Sequence, residues 1–517
     1  MSASLPRKKL PIGIQNFAKL REENCYYVDK TPFACRLVEE GSYYFLSRPR
    51  RFGKSLFVDT LKELFEGNQS LFKGLYAEKH WDWSKKHPVL RFSFGDGGID
   101  SRETLEKELR IQLTRHAERL DLAGESLEEG TPRLRTLVRA AHEKYGQRVV
   151  ILVDEYDKPI LDHIEDAPLA QIMRNGLSDF YSAIKELDPH LKFALLTGVS
   201  KFSKVNLFSK LNNLNDITLD EPYSAICGYT DRDVDTVFAP ELEGLNREKI
   251  RLWYNGYNWT GESVYNPFDL LLLFQKRVFQ PFWYETGSPS FLLKVLRNRP
   301  TFLPDLSRTL ASYDLLSTFE VANIGTEALL FQTGYLTIQS VKYQGVQPRY
   351  LMGYPNLEVK TSLLEALMRD WTPHEARASK RMPEAYDLIE ANDLEGLRKL
   401  LTSFYESIPN EWYKKNPIAQ YEGYYASVFY AFFASLGLEV HAEKSSNAGR
   451  LDMEVLIENR ALIFEFKVVD DEPEGKALAQ ILEKGYDRAH RAAGREVTCI
   501  GVEFSKEKRR IVAWEMA

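Results

Sequence analysis

Gly53-Lys54-Ser55 lies between an apolar stretch and an amphipathic one. Consecutive glycine, lysine and hydroxyl suit a phosphate group. Backbone N–H groups at a helix N-terminus face the anion, the lysine reaches the terminal phosphates, and Ser55 takes Mg²⁺. The surrounding loop is Arg48-Pro49-Arg50-Arg51-Phe52-Gly53-Lys54-Ser55. The full pattern asks for glycine five positions before Gly53, where Arg48 stands instead. An ordinary strand–helix turn would give the same tripeptide, so a second motif has to decide. Val149-Val150-Ile151-Leu152-Val153-Asp154-Glu155 is an apolar run closed by two carboxylates. A buried strand with an acid at its C-terminal end places Asp154 on the metal and Glu155 on the attacking water. Together the motifs point to ATP and Mg²⁺. Thr197, after the apolar run Phe193–Leu196, and Ser200 are candidates for sensing the γ-phosphate; turn capping explains them equally well. Arg50 and Arg51 could touch phosphate from within the loop.

A second set lies near the C-terminus. Asp452 precedes Glu465-Phe466-Lys467 by thirteen positions. Side chains alternate along a strand, so Glu465 and Lys467 share a face, and on a paired hairpin Asp452 joins them. Two carboxylates and a lysine gathered on one face call for a cation. This is the chemistry of Mg²⁺-assisted phosphodiester hydrolysis: Asp452 and Glu465 hold the ion, and Lys467 positions water or stabilises developing charge. The alternative for Glu-x-Lys alone is a half-exposed strand with a salt-bridged pair.

The elements that would position these groups follow from periodicity. Tyr43–Leu46, Val89–Phe94, Val149–Asp154 and Phe193–Thr197 read as strands. Leu56–Phe65, residues 101–145 and Pro168–Leu187 read as helices. Their alternation predicts an α/β fold: a P-loop NTPase parallel sheet with helices on both faces. Thr31 and Pro32 mark a helix start after Tyr26-Tyr27-Val28-Asp29-Lys30. That segment either covers an adenine or is an edge element. Residues 221–350 read as short helices with packed aromatic turns, Tyr254-Asn255-Gly256-Tyr257 and Gln332-Thr333-Gly334-Tyr335 among them. The expected domains are 1–220 (ATPase), 221–350 (helical, winged-helix-like lid), 351–405 (helical connector) and 406–517 (α/β nuclease-like). In the last, Glu422–Leu436 and Lys476–Ala493 read as helices around a hairpin turning at Glu458-Asn459-Arg460. Gln480, Lys484 and Tyr486 could line the same cleft. Lys506, Lys508, Arg509 and Arg510 form a basic cluster for nucleic acid or simply a solvated face.

The 517 residues, 44% hydrophobic and 27% charged, suffice for two to four domains. A net charge of −6 excludes a basic coat protein for nucleic acid, so any groove for it must be local. Four scattered cysteines indicate neither a zinc site nor a disulfide framework and suit a reducing cytoplasm. No signal peptide or membrane span is expected.

Arg48–Ser55, Tyr27-Val28-Asp29-Lys30-Thr31, Val153-Asp154-Glu155-Tyr156-Asp157 and Thr197-Gly198-Val199-Ser200-Lys201-Phe202 resemble the AAA-ATPase-like family of prokaryotic proteins. Its members commonly end in a PD-(D/E)XK nuclease superfamily domain. The turns at 254–257 and 332–337 match the same family. The resemblance implies that the missing loop glycine is usual. It also implies an active triad of Asp452, Glu465 and Lys467, with a helical acid at Glu422. Here Leu451-Asp452 stands where the superfamily has Pro-Asp.

The leading expectation is an ATP-binding switch coupled to a Mg²⁺-dependent nuclease acting on nucleic acid, with DNA preferred. Arg50, Arg51, Phe52, Gly53, Lys54, Ser55, Asp154 and Thr197 would contact nucleotide. No arginine finger is assignable, so turnover would be slow unless a homo-oligomer supplied one. A rival is a regulatory protein whose nuclease-like domain binds without cutting. A weaker rival keeps the nuclease and makes the NTPase half structural.

Overall fold

A computed structural model of the chain describes residues 6–95, 98–122, 131–200, 213–285, 292–293, 296, 303–313, 316, 325–370, 375–406, 422–446, 449–508 and 510–517. It divides into two compact units, Met1–Gly287 with Leu310–Asn356, and Ser288–Thr309 with Leu357–Ala517.

The first unit is built on β1 (Tyr43–Ser47), β2 (Val89–Ser93), β3 (Val149–Asp154), β4 (Leu191–Gly198) and β5 (Asn215–Asp216). They pair in the order β2-β3-β4-β1-β5, all parallel. Every residue of β3 is buried, as expected where both faces of a sheet are covered. Neighbouring residues of β2 show those faces. Arg91 reaches Asp59 on the helix Lys54–Phe65 (2.5 Å). Phe92 packs edge-on against His116 of the helix Arg102–Arg119 and Phe180 of the helix Ala167–Glu186. Because β4 lies between β1 and β3, Thr197 sits between the loop after β1 and the acids after β3. This is the crevice beyond the carboxyl ends of the strands, where open parallel sheets bind ligands.

Residues 221–350 hold more strand than the sequence reading expected. Short helices are present, but β7 (Thr337–Gln344) and β8 (Gln347–Gly353) form an antiparallel hairpin, flanked by β6 (Thr309–Ser312) in the order β6-β8-β7. The Gln332-Thr333-Gly334 turn is a helix end, with Gly334 left-handed (φ 92°) and leading into β7. Near the N-terminus, the helix Thr31–Glu40 is held at its start by Asp29. Its carboxylate accepts from the Thr31 N–H and hydroxyl, so the acid and not Thr31 provides the cap.

The second unit carries β9 (Glu439–Ser446), β10 (Gly449–Ile457), β11 (Arg460–Val469), β12 (Glu496–Ser505) and β13 (Ile511–Met516), ordered β13-β12-β11-β10-β9. β11 and β12 are parallel and the other pairs antiparallel. Phe464 and Phe466 point to one face, where Phe429 of the helix Glu422–Ser435 packs at ring distances of 5.6 and 4.9 Å. Ile463 points to the other, in a cluster with Leu451, Cys499 and Ile481 of the helix Lys476–Lys484. Aromatic packing on one face thus fixes the alternation that sends Glu465 and Lys467 to the opposite face. The single helix expected over 476–493 is two, Lys476–Lys484 and Arg488–Ala492. Left-handed Gly485 (φ 64°) caps the first.

All four cysteines are buried and unbridged. Among the described residues, no helix is long and apolar enough to cross a membrane.

Candidate functional sites

The loop after β1 ends at Gly53, which is left-handed at φ 90° and opens the helix Lys54–Phe65 with no side-chain cap. The first N–H groups of that helix are therefore left for an anion. Lys54 is buried, and its Nζ donates to the carbonyls of Arg48 (2.8 Å) and Pro49 (2.9 Å). Burial lowers its pKa, while Asp154, Cys227, Asp157 and Glu155 act in the opposite sense. Ser55 follows on the first turn and is half-buried.

Arg48 explains the missing glycine. Its backbone is not left-handed, so this loop does not need glycine there. The side chain is buried and stacks 4.1 Å over Trp259. It donates to the carbonyls of Ser47 (2.8 Å), Thr218 (3.0 Å) and Tyr223 (3.0 Å). Burial pushes its guanidinium pKa down to about 10. Arg48 is thus a brace between the phosphate loop and the segment after β5. The aromatic turns complete the support. Phe52 packs edge-on against Tyr257 and Trp259, Trp283 Nε1 donates to the Arg50 carbonyl (3.2 Å), and Arg51 lies 4.8 Å over Phe268.

Asp154 is buried at the end of β3. Thr197 Oγ1 donates to it (2.9 Å), and Arg91 approaches its other oxygen at 3.8 Å. Glu155 follows in the left-handed region (φ 53°). Non-glycine residues in this region are uncommon and concentrate at functional sites; Arg51 (φ 69°) is a second here. Burial, then the Asp154 charge, raises the Glu155 pKa. Asp157, which the sequence reading gave no role, is buried and accepts from the N–H groups of Val199 (3.0 Å) and Ser200 (2.6 Å) and from the Ser200 hydroxyl (2.5 Å). It clamps the segment leaving β4 to the acid-bearing turn. Ser200 is therefore engaged by Asp157, whereas Thr197 faces Asp154. Lys201 and Phe202 lie outside the described residues.

In the second unit, the β10–β11 register pairs Met453 with Phe464 and Glu454 with Ile463. One step further along, Asp452 stands opposite Glu465. Asp452 Oδ2 accepts from the Phe466 N–H (2.8 Å), which locks the two strands at the site. Glu465 is 1% exposed, and its Oε1 accepts from Lys467 Nζ (3.3 Å) and Gln480 Nε2. Its Oε2 is buried without a hydrogen-bond partner. Burial, then the neighbouring Asp452, raises the Glu465 pKa to about 7. The Tyr486 pKa is raised too, by burial and then by Glu465, with a Gln480 hydrogen bond acting the other way. Asp452, Glu465, Lys467, Gln480 and Tyr486 therefore come together, while Lys484 is exposed. Glu422 begins a helix, but its side chain lies outside the described residues. In the basic cluster, Lys508 pairs with Asp471 (2.8 Å), and Arg509 lies outside the described residues.

Glu503 was missed by the sequence reading. Fully buried on β12, its carboxylate accepts from the N–H groups of Glu474 (2.6 Å), Lys476 (2.7 Å) and Ala477 (3.3 Å). It seats the helix that carries Gln480. The signal was an acid inside an otherwise apolar run, Cys499-Ile500-Gly501-Val502-Glu503-Phe504. Gly501 lets that helix approach: a Cβ there would lie 2.8 Å from Leu478 Cα. Gly501→Ala is expected to push the helix outward, costing about 1–3 kcal/mol of stability. Thermal melting and cleavage assays should both register the loss.

Among the described residues, no group of three or more His, Cys, Asp or Glu side chains is placed to hold a metal. Two carboxylates still fit Mg²⁺, which is commonly bound through one or two carboxylates, with waters and phosphate oxygens completing the shell. The partnerless Glu465 Oε2 is the atom such an ion would satisfy. The raised pKa carries a sign. Glu465 binds its proton more tightly folded than at its ordinary 4.5, so the stability it contributes is complete below about 4.5 and is lost as pH rises through about 7. In metal-free protein, a melting-temperature series across that window should slope downward, and Glu465→Gln should flatten it.

A parallel sheet with an anion-ready loop after β1 and two acids at the end of β3 has the form of a P-loop domain. The Asp452–Glu465–Lys467 face defines a nuclease-like domain. Comparison with known families agrees: residues 11–208 match a model described as "Predicted AAA-ATPase", and residues 420–514 match the PD-(D/E)XK nuclease superfamily. The chain belongs to the family of AAA-ATPase-like proteins that carry a PD-(D/E)XK nuclease superfamily domain. It is 56% identical over 511 residues to a protein of Azotobacter chroococcum mcd 1 described as "Uncharacterized protein in vnfD 5'region", with 99% of each chain covered. No solved structure matches.

Proposed function

We propose that this protein is an ATP-binding and ATP-hydrolysing switch that controls a Mg²⁺-dependent nuclease acting on DNA. The observation that carries the reading is Glu465. It is a carboxylate buried beside Asp452 and Lys467, with one oxygen unpartnered. A merely structural acid would be expected to have both oxygens satisfied. Asp452 and Glu465 would hold Mg²⁺, which supplies a nucleophilic water at neutral pH and polarises a phosphoryl oxygen. Lys467 stabilises charge on the scissile phosphate, and Gln480 keeps the Glu465 carboxylate oriented.

At the other site, the N–H groups opening the helix Lys54–Phe65 and the Lys54 ammonium bind the ATP phosphates. Ser55 and Asp154 would hold the nucleotide's Mg²⁺. Glu155, its pKa raised by burial, takes the proton of the attacking water. Thr197 fixes the Asp154 carboxylate. Arg50 and Arg51 contribute charge at the phosphates, and a second copy of the chain would supply an arginine in trans. Plasmid relaxation in Mg²⁺ against EDTA tests the nuclease half. Metal-dependent nicking supports it; intact supercoiled plasmid in both conditions, whatever nucleotide is added, counts against it.

A further inference from the structure

The β7–β8 hairpin of the first unit has no place in either site. Lys342 and Arg349 stand directly opposite each other in its register, so both project from one face. Like charges facing each other across a strand pair are destabilising. Here nothing offsets that cost. Residues 337–353 contain no acid, and among the described residues neither cation has a carboxylate partner. Gln344 and Gln347, paired two steps further along the register, extend the same face with amide donors. Tyr343, one residue along, projects from the opposite face and is 75% exposed, and Val346 in the turn is 95% exposed. Exposed edges and tips of sheets usually carry charge or proline in place of aromatic side chains.

We propose that this hairpin is a nucleic-acid arm, in which Lys342 and Arg349 grip backbone phosphates. Paired cations without acids match a polyanion. A protein partner is disfavoured by the opposed like charges, which a polyanion neutralises directly. The arm gives a protein of net charge −6 a local cationic contact. The inference rests on the reading of DNA as substrate and adds a second contact to it.

The test uses full-length protein in the cleavage-blocked Asp452→Ala background, with a fluorescein-labelled DNA duplex and its single strand as probes. Anisotropy titrations across a salt series compare that background with Lys342→Gln/Arg349→Gln and with Tyr343→Ala. ATP binding serves as the check on folding. Removing two phosphate contacts should weaken binding at least about tenfold and lower the salt slope by about two. Tyr343→Ala, whose ring projects from the opposite face, should leave both affinity and slope unchanged. If the parent binds DNA and the double variant binds with the same affinity and slope, the arm is overturned while the nuclease reading stands. If the parent neither binds DNA nor, as wild type, cuts it, both fall together.

Discussion

Asp452→Ala and Glu465→Ala are each expected to lower Mg²⁺-dependent cleavage by about three orders of magnitude, since a bound ion supplies several kcal/mol of transition-state stabilisation. Their effects on folding should differ. Asp452 accepts the Phe466 N–H, so its loss leaves a strand donor unpaired and costs about 1–3 kcal/mol. Glu465 is a buried carboxylate with one oxygen unsatisfied, and burying such a charge works against the fold. Glu465→Ala should therefore melt no lower than wild type at pH 8 while losing activity. Lost activity with retained or raised stability is the signature of a residue kept for chemistry. A large fall in melting temperature for Glu465→Ala would instead make it structural.

Lys54→Ala should weaken ATP binding by about 10- to 100-fold, because a hydrogen bond to a charged group is worth about 1.5–3 kcal/mol. In the structure Lys54 Nζ is engaged by the Arg48 and Pro49 carbonyls, so it must exchange these for phosphate oxygens. Both carbonyls lose their donor in the variant, and some loss of stability accompanies the loss of affinity. Titration with a fluorescent ATP analogue separates the two. A variant that binds the analogue as tightly as wild type would mean that Lys54 only braces the loop.

The elements bearing chemistry were legible because they are local. Strand, loop and helix around Gly53-Lys54-Ser55 follow one another in the chain, as do β10, its turn and β11. The buried parallel sheet followed from apolar runs alternating with amphipathic helices. What stayed hidden depends on partners far away in sequence. Arg48 looked like a defect in the phosphate motif, since the carbonyls it holds lie 170 and 175 residues downstream. Asp157 stood next to the recognised acids, but its partners, Val199 and Ser200, come 42 and 43 residues later. The β7–β8 hairpin was readable from its alternation and from Gly345, left-handed at φ 64°. Its aromatic surroundings drew the reading towards packed turns instead. Glu465 and Lys467 were placed on one face by strand period alone. The depth of Glu465, which perturbs its carboxyl, required the helix Lys476–Lys484 above it.

The central claim is that nucleotide at one site governs phosphodiester cleavage at the other. The most direct measurement is the initial rate of plasmid cleavage in Mg²⁺, with and without ATP, for wild type, Lys54→Ala and Asp452→Ala. The account predicts a rate that changes with ATP in wild type, no response to ATP in Lys54→Ala, and no cleavage in Asp452→Ala. Cleavage by wild type that is indifferent to ATP, while ATP demonstrably binds, would contradict the coupling. Cleavage that survives Asp452→Ala would contradict the site.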